Sequence, residues 1–221
     1  HTMDFGAEGY ESTKQTLESG NVTYVEQDGS AIYTTEGGLV VGLYAAAFVR
    51  DNADMRQEID SLKQRGAQII VAAIHWGEEG YYRPIPAQTS WAHDLIDAGA
   101  DIVWGNHPHT LQPIESYNGG IIYYSTGNFS FGGNRNPKDK DTAILQQEVL
   151  LFTDGTVALG SLTVIPCRIS TSDSWNDYRP TPYEPGSEEY LRCLAKLEGS
   201  FEGPAVEVPY LTQPKEPETT E

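Results

Sequence analysis

Four histidines and two glutamates fall at places where a chain can handle a metal ion or a phosphate. His75 closes the apolar run 68–74 and opens the turn His75-Trp76-Gly77-Glu78-Glu79. His107 and His109 flank Pro108 just after Trp104-Gly105-Asn106, where the next apolar run ends. His1 heads the segment His1-Thr2-Met3-Asp4-Phe5-Gly6. Imidazole nitrogen suits Zn, Mn, Fe or Ni, and histidines from neighbouring loops commonly hold one or two such ions. Glu78 and Glu79 can act as further ligands, as partners that fix an imidazole, or as general acid and base. A lone histidine at a strand end often does no more than bond to backbone groups. The pointer to a site is therefore two successive strand ends that both carry histidine. Pro108 restricts His107 to extended backbone, in which residues i and i+2 project to one side, so His107 and His109 are expected to address one point. His93 lies between Ala92 and Asp94, off the apolar face of its helix, and reads as structural.

Two other segments can meet a substrate. Tyr124-Ser125-Thr126-Gly127-Asn128-Phe129-Ser130-Phe131-Gly132-Gly133 runs from a strand into a glycine-containing loop. It either offers backbone N–H groups to an anion or is an ordinary turn with two core phenylalanines. Tyr81-Tyr82-Arg83-Pro84 is either a substrate wall, with Arg83 gripping a carboxylate or phosphate, or a merely exposed aromatic loop.

The elements that must position these groups read as α/β. Residues 7–19 form a helix stopped at Gly20-Asn21, and Val22 to Val25 a strand. Runs at 31–35 and 39–48 flank Gly37-Gly38 as a hairpin. Asp51 or Asn52 caps a helix with Met55, Ile59 and Leu62 on one face and Gly66 at its end. The strand 68–74, a helix 86–98 with Trp91, Leu95 and Ala98 on one face, and the strand 101–104 follow. Strands apolar on both faces and alternating with helices imply parallel βαβ units, whose ligands bind outside the carboxyl ends of the strands. Beyond residue 120 strands dominate: 121–124, then 143–153 and 156–165 joined by Asp154-Gly155, a strong hairpin signal. A loop over 171–186 and a helix over 187–197 complete the pattern.

The chain has 221 residues, 38% of them hydrophobic, enough for a buried core. Its 32 acidic and 14 basic residues give a net charge of −18, which opposes binding to nucleic acid phosphates. The longest apolar run, 38–49, is too short to span a bilayer, and no signal peptide is present, so any membrane anchor is expected outside this chain. The acidic, tyrosine-rich, cysteine-poor composition suits a secreted or cell-surface bacterial protein. Cys167 and Cys193 match no zinc-ligand spacing and are either a disulfide or two buried thiols.

The run from His75 to Glu79, then Gln88, then the continuous stretch from Leu95 to His109, then Tyr124 to Phe129, resemble the CapA/PgsA family of poly-γ-glutamate capsule synthesis proteins. That family is similar in fold to the calcineurin-like metallophosphoesterases. Gly105-Asn106-His107-Pro108-His109 resembles their terminal Gly-His-x-His block, with Asn106 inserted. The segment from His1 to Gly6 resembles the Asn-His-x-x-Asp-x-Gly block without its Asn, which sets a ligand role for His1 against the alternative of a cloning scar. The resemblance implies a metallophosphatase-like sandwich of two mixed β-sheets flanked by helices. Residues 1–212 would be its C-terminal part and 213–221 an acidic, proline-rich tail. A missing N-terminal segment would supply aspartates, an asparagine and part of the core. The implied ligands are His1, His75, His107 and His109, holding two divalent ions of the Mn, Zn or Fe kind. Glu78, Glu79 and His107 would carry catalysis, while Arg83, Ser125 and Asn128 would contact substrate. The expected function is a cell-surface, metal-dependent hydrolase or transferase of poly-γ-glutamate capsule synthesis, anchoring or turnover, acting on that polymer or a phosphate-containing substrate. The alternative is a non-catalytic polymer-binding or assembly component, whose −18 charge repels an anionic polymer unless cations or a patch near Arg135, Lys138 and Lys140 intervene.

Overall fold

The computed structural model describes residues 3–48, 52–133 and 136–208. His1, Arg135 and the tail expected over 213–221 lie outside the described residues. The elements run α1 (Gly6–Ser19), β1 (Gly29–Thr34), β2 (Val40–Ala47), α2 (Asn52–Gln64), β3 (Ile69–His75), α3 (Pro86–Ala98), β4 (Ile102–Asn106), β5 (Ile114–Tyr117), β6 (Gly120–Tyr123), β7 (Asp141–Leu151), β8 (Val157–Arg168), β9 (Thr181–Pro182) and α4 (Glu188–Glu198).

Six strands form one mixed sheet in the order β1-β2-β3-β4-β6-β5. β2, β3, β4 and β6 are parallel, and the hairpin partners β1 and β5 pair antiparallel at the two edges. One face of the parallel strands is buried, and the other is buried only in part, with Ala73 of β3 exposed. One face packs on α2 and α3 through Met55, Ile59, Leu62, Trp91 and Leu95. The other meets the second sheet, where Ile69, Ile102 and Tyr123 pack against Leu145, Val149, Leu159 and Leu162. This is an α/β sandwich of the metallophosphatase-like kind. The second sheet, β7-β8-β9, is antiparallel among the described residues, because its strands follow one another through hairpin-type connections. α4 packs at one end of the same inner face, where Cys193 and Leu197 meet Ala143 and Leu111. Cys167 and Cys193 are buried free thiols, one of the two alternatives expected.

Two local expectations change. Val22 to Val25 is not a strand: the chain reverses at Asn21 (φ 54) and lies back along α1, with the Tyr24 hydroxyl donating to Glu18 at 2.9 Å. With no neighbouring strand among the described residues to complete a ladder, β propensity alone does not make one. Conversely, β5 forms where only a connection was expected. Asn118 (φ 44) and Gly119 (φ 87) both have positive φ, the conformation of a two-residue type I′ turn, and they fold β5 back on β6.

Candidate metal centre

β3 and β4 are parallel and in a register that sets His75 beside Asn106, so their loops leave the same sheet edge side by side. The Trp76 N–H donates to the Asn106 carbonyl at 3.0 Å and continues the pairing one residue past the strand. Beneath, the buried Trp76 indole donates to the Tyr124 carbonyl at 2.9 Å. A Cβ on Gly105 would lie 2.2 Å from that carbonyl oxygen and 2.5 Å from the indole nitrogen, so only glycine lets β3, β4 and the strand leading to Tyr124 converge this closely. The Gly80 N–H donates to the Pro108 carbonyl at 2.7 Å and ties the glutamate turn to the histidine loop.

Three imidazoles come together in this crevice. The His75 and His107 ring centroids are 4.5 Å apart, and those of His107 and His109 are 6.2 Å apart. Ligand atoms of Glu79, His107 and His109 all lie within 4.8 Å of one another, a grouping able to hold a metal ion. The convergence is not produced as the sequence suggested. His107 has φ 102 and His109 φ 60, so neither is extended. Non-glycine residues at positive φ cost of order 1–3 kcal/mol each and persist where the surroundings over-determine them. Here the surroundings are the Gly80 bond to Pro108 and a clamp from Asn128. His109 Nδ1 donates to Asn128 Oδ1 at 2.7 Å, while Asn128 Nδ2 donates back to the His109 carbonyl at 3.4 Å. That bond fixes the tautomer and leaves Nε2 of His109 as the lone-pair donor.

The residues present fit an ion. His107 Nδ1 is buried with no hydrogen-bond partner among the described residues, an expensive state for a polar atom. It lies 4.0 Å from Glu79 Oε1, too far for a hydrogen bond and close to the span of two metal–ligand bonds of about 2 Å each. Burial, followed by the neighbouring His107 and His109, lowers the His75 pKa to about 4, and burial likewise lowers that of His107. Both rings are therefore neutral near pH 7, the state a ligand needs.

The other expected site residues are distributed unevenly. Glu78 is exposed, whereas Glu79 is half-buried against His107. Arg83 is exposed, and its carbonyl accepts from Gln112 at 3.2 Å. Ser125 is buried and its Oγ accepts from the Gly127 N–H at 3.3 Å, within its own turn. Asn128 is also buried, and its amide serves His109. Both follow the rule that buried amides and hydroxyls are engaged by a nearby backbone or ring partner. Phe131 packs on His109 with centroids 4.7 Å apart and Phe129 is exposed, so neither is a core residue. His93 is structural, paired with Glu115 at 3.0 Å and stacked on Tyr117.

Sequence reasoning missed Phe48, whose ring meets both His75 and His107 edge-on at 5.5 and 5.4 Å. No local pattern marks it. It also missed the strap formed by residue 206: the Val206 N–H donates to the Gly80 carbonyl at 3.0 Å.

Residues 26–133 match the family described as bacterial capsule synthesis protein PGA_cap. The chain belongs to that family. It is 31% identical over 194 residues to the capsule biosynthesis protein CapA of Bacillus anthracis, covering 76% of this chain and 46% of that protein. It is 33% identical over 219 residues to the PGA biosynthesis protein CapA of Bacillus subtilis, covering 89% of this chain and 54% of the relative. A probable polyglutamine synthesis accessory protein of Mycobacterium tuberculosis is 28% identical, covering 77% of this chain and 54% of its own length. The chain thus spans about half the length of these relatives. His75, Glu79, His107, Asn128 and Phe131 all lie inside the stretch matched to the PGA_cap family. No described helix is long and apolar enough to cross a membrane.

Proposed function

We propose that this chain contributes the histidine-rich half of a metal-dependent hydrolase or transferase that acts at the bacterial cell surface in capsule synthesis, anchoring or turnover. The observation that carries this reading is the buried, partnerless Nδ1 of His107 facing Glu79 within a cluster of three imidazoles. His75, His107, His109 and Glu79 would hold divalent ions of the Mn, Zn or Fe kind, joined by His1 and by ligands from the remainder of a longer protein. When bound, such ions orient water and polarise a phosphoryl or amide oxygen. Asn128 holds the His109 ring with Nε2 presented to the crevice. Exposed Glu78 sits at the mouth and can exchange protons with solvent, and Arg83 on the neighbouring loop offers a guanidinium to a substrate carboxylate or phosphate. The named relatives are proteins of capsule biosynthesis, PGA biosynthesis or polyglutamine synthesis, which supports trying poly-γ-glutamate, or a phosphate-containing precursor, as the substrate.

The test is elemental analysis of the full-length protein, together with turnover of poly-γ-glutamate and of a phosphodiester surrogate. Wild type should carry a stoichiometric transition metal and turn over one substrate, and His107→Ala, folded by circular dichroism, should lose both. A protein that never retains metal would remove the proposal. Metal retained without turnover of either substrate would favour a polymer-binding or assembly role.

A further inference from the structure

A chain with 32 acidic and 14 basic residues has few cations to place, yet five of the 14 line a single cavity. It measures about 600 Å3, well within the range of ligand sites. Tyr82 and Phe201, edge to face with centroids 4.8 Å apart, form part of its wall beside Lys196 and Arg192. Those two cations are already matched. Lys196 donates to both Asp139 and Asp141, and Arg192 donates to Asp141 through two bonds of 2.7 Å. Lys138, Lys140 and Arg168 remain to meet a ligand.

The groups that hold these three are ones a ligand can replace. Lys140 donates to the Asp173 carbonyl, which carries no charge, and forms no ion pair with a described residue. Arg168 donates to Asp173 Oδ1 at 2.7 Å, but the Asp173 side chain is 92% exposed, and a pair so open to water contributes little. Both heads meet at Asp173 because the β7–β8 register sets Arg168 opposite Asp141, next to Lys140. Lys138 meets Glu207 at 2.5 Å, a carboxylate 85% exposed that follows Val206 on the strap. A carboxylate carried by a loosely held stretch of chain thus already finds Lys138. Two exposed carboxylates, Glu184 and Glu189, also line the cavity. Glu184 lies three residues beyond Thr181, the partner of Arg168 in β9, roughly 10 Å along an extended chain. Anions are therefore favoured at the end formed by Lys138, Lys140 and Arg168.

Lys138 and Asp139 also line a narrow cleft whose other walls include His109, Asn128 and Phe131, so the cavity and the histidine cluster share a border. The cations do not converge on one point, as a lone phosphate would require: two meet at Asp173 and the third at Glu207. Charges spread in this way suit carboxylates spaced along a chain. We infer that this cavity binds successive carboxylates of a flexible polyanion, one at Lys140 and Arg168 and another at Lys138 in place of Glu207, and that the chain runs on from Lys138 to the histidines. The inference rests on the metal-centre reading for the chemistry at the histidine end, and it names what grips the remainder of the substrate.

The test is fluorescence anisotropy of a labelled pentamer of γ-linked glutamate with the full-length protein, after chelator treatment so that no metal is needed. The pentamer should bind saturably, and its counterpart with every carboxylate converted to carboxamide should not. Lys140→Gln/Arg168→Gln should weaken binding by about tenfold, the order expected for two partly solvated charges. Lys138→Gln, at a side chain 52% exposed and so removable without harm to the fold, should weaken it severalfold. Lys14→Gln, on α1, should leave it unchanged, and an unaltered melting temperature reports that each variant is folded. Equal binding of the carboxamide, or wild-type affinity in either cavity variant, would overturn the inference. Displacement of the pentamer by less tripolyphosphate than unlabelled pentamer would assign the cavity to phosphate chains and overturn it too. Protein that retains no metal yet binds the pentamer sinks only the metal-centre reading, whereas protein that retains metal and ignores the pentamer sinks only this one.

Discussion

Replacing Lys196 with methionine is expected to remove about 3 kcal/mol of stability, because it strands a buried carboxylate next to the site. Lys196 is 2% exposed, and its Nζ lies 2.9 and 2.8 Å from the two oxygens of Asp139 and 2.7 Å from Asp141 Oδ2. It also sits 4.6 Å from the centre of the Tyr82 ring, and so ties α4 to both the loop after Asn128 and the Tyr81–Arg83 segment. Breaking a buried pair by removing one partner typically costs about 3–5 kcal/mol, since the desolvated partner keeps its charge. The lower end applies here because Asp141 retains Arg192, at 2.7 Å to each oxygen, and the Tyr183 hydroxyl at 2.9 Å. Asp139 loses the one lysine that pairs with it among the described residues. With a urea slope of about 2 kcal/mol per M for a domain of this size, the midpoint should fall by about 1.5 M. Lys196→Met/Asp139→Asn should recover at least half of that, since the amide removes the stranded charge while keeping the acceptor for the Asp141 N–H at 3.0 Å. Burial pushes the Asp141 carboxyl up, but Arg192 and Lys196 outweigh it and hold its pKa below the ordinary 3.8. A carboxylate with a depressed folded-state pKa stabilises above its unfolded value and loses that contribution as pH falls beneath it, so wild type should hold its midpoint down to about pH 4 and weaken below, less steeply in Lys196→Met. A shift under about 1 kcal/mol, or a double variant no better than the single, would refute the reasoning that this is a mutually dependent buried network.

Two further outcomes test the construction of the crevice. Asn128→Ala should weaken metal binding by about 10- to 100-fold in a chelator competition, as removal of a partner that orients a ligand does, while Asn128→Asp, which keeps the acceptor for His109 Nδ1, should retain most of it. Gly80→Ala would place a Cβ 1.8 Å from the Val206 carbonyl oxygen at φ 78, so it should cost about 2 kcal/mol, lower the melting temperature by several degrees, and loosen the turn that carries Glu79.

Much of the architecture was legible because it repeats. Parallel βαβ units announce themselves through unbroken apolar strands and helices with one apolar face, and β2 to β4 with α2 and α3 appear where those periods place them. Val22 to Val25 and β5 escaped in opposite ways. The first has strand-like residues but no partner, and the second has a weak strand pattern made into one by the turn at Asn118-Gly119. Strand formation is a property of pairs, and a single segment does not reveal its pair.

The site divides along the same line. Sequence alone determined that His75, His107 and His109 stand at the carboxyl ends of adjacent parallel strands, because strand, turn and histidine are all local features. Only the tertiary structure decided how they converge. The positive φ of His107 and His109, the grip of Asn128 on one ring and the burial that leaves the other partnerless are set by groups distant in sequence. The same holds for Trp91, which reads as a core residue from its helical spacing and whose indole N–H, once packed in the core, has no acceptor among the described residues. Spacing along a chain fixes which face a residue occupies, whereas hydrogen-bond satisfaction depends on what the rest of the fold brings to that face.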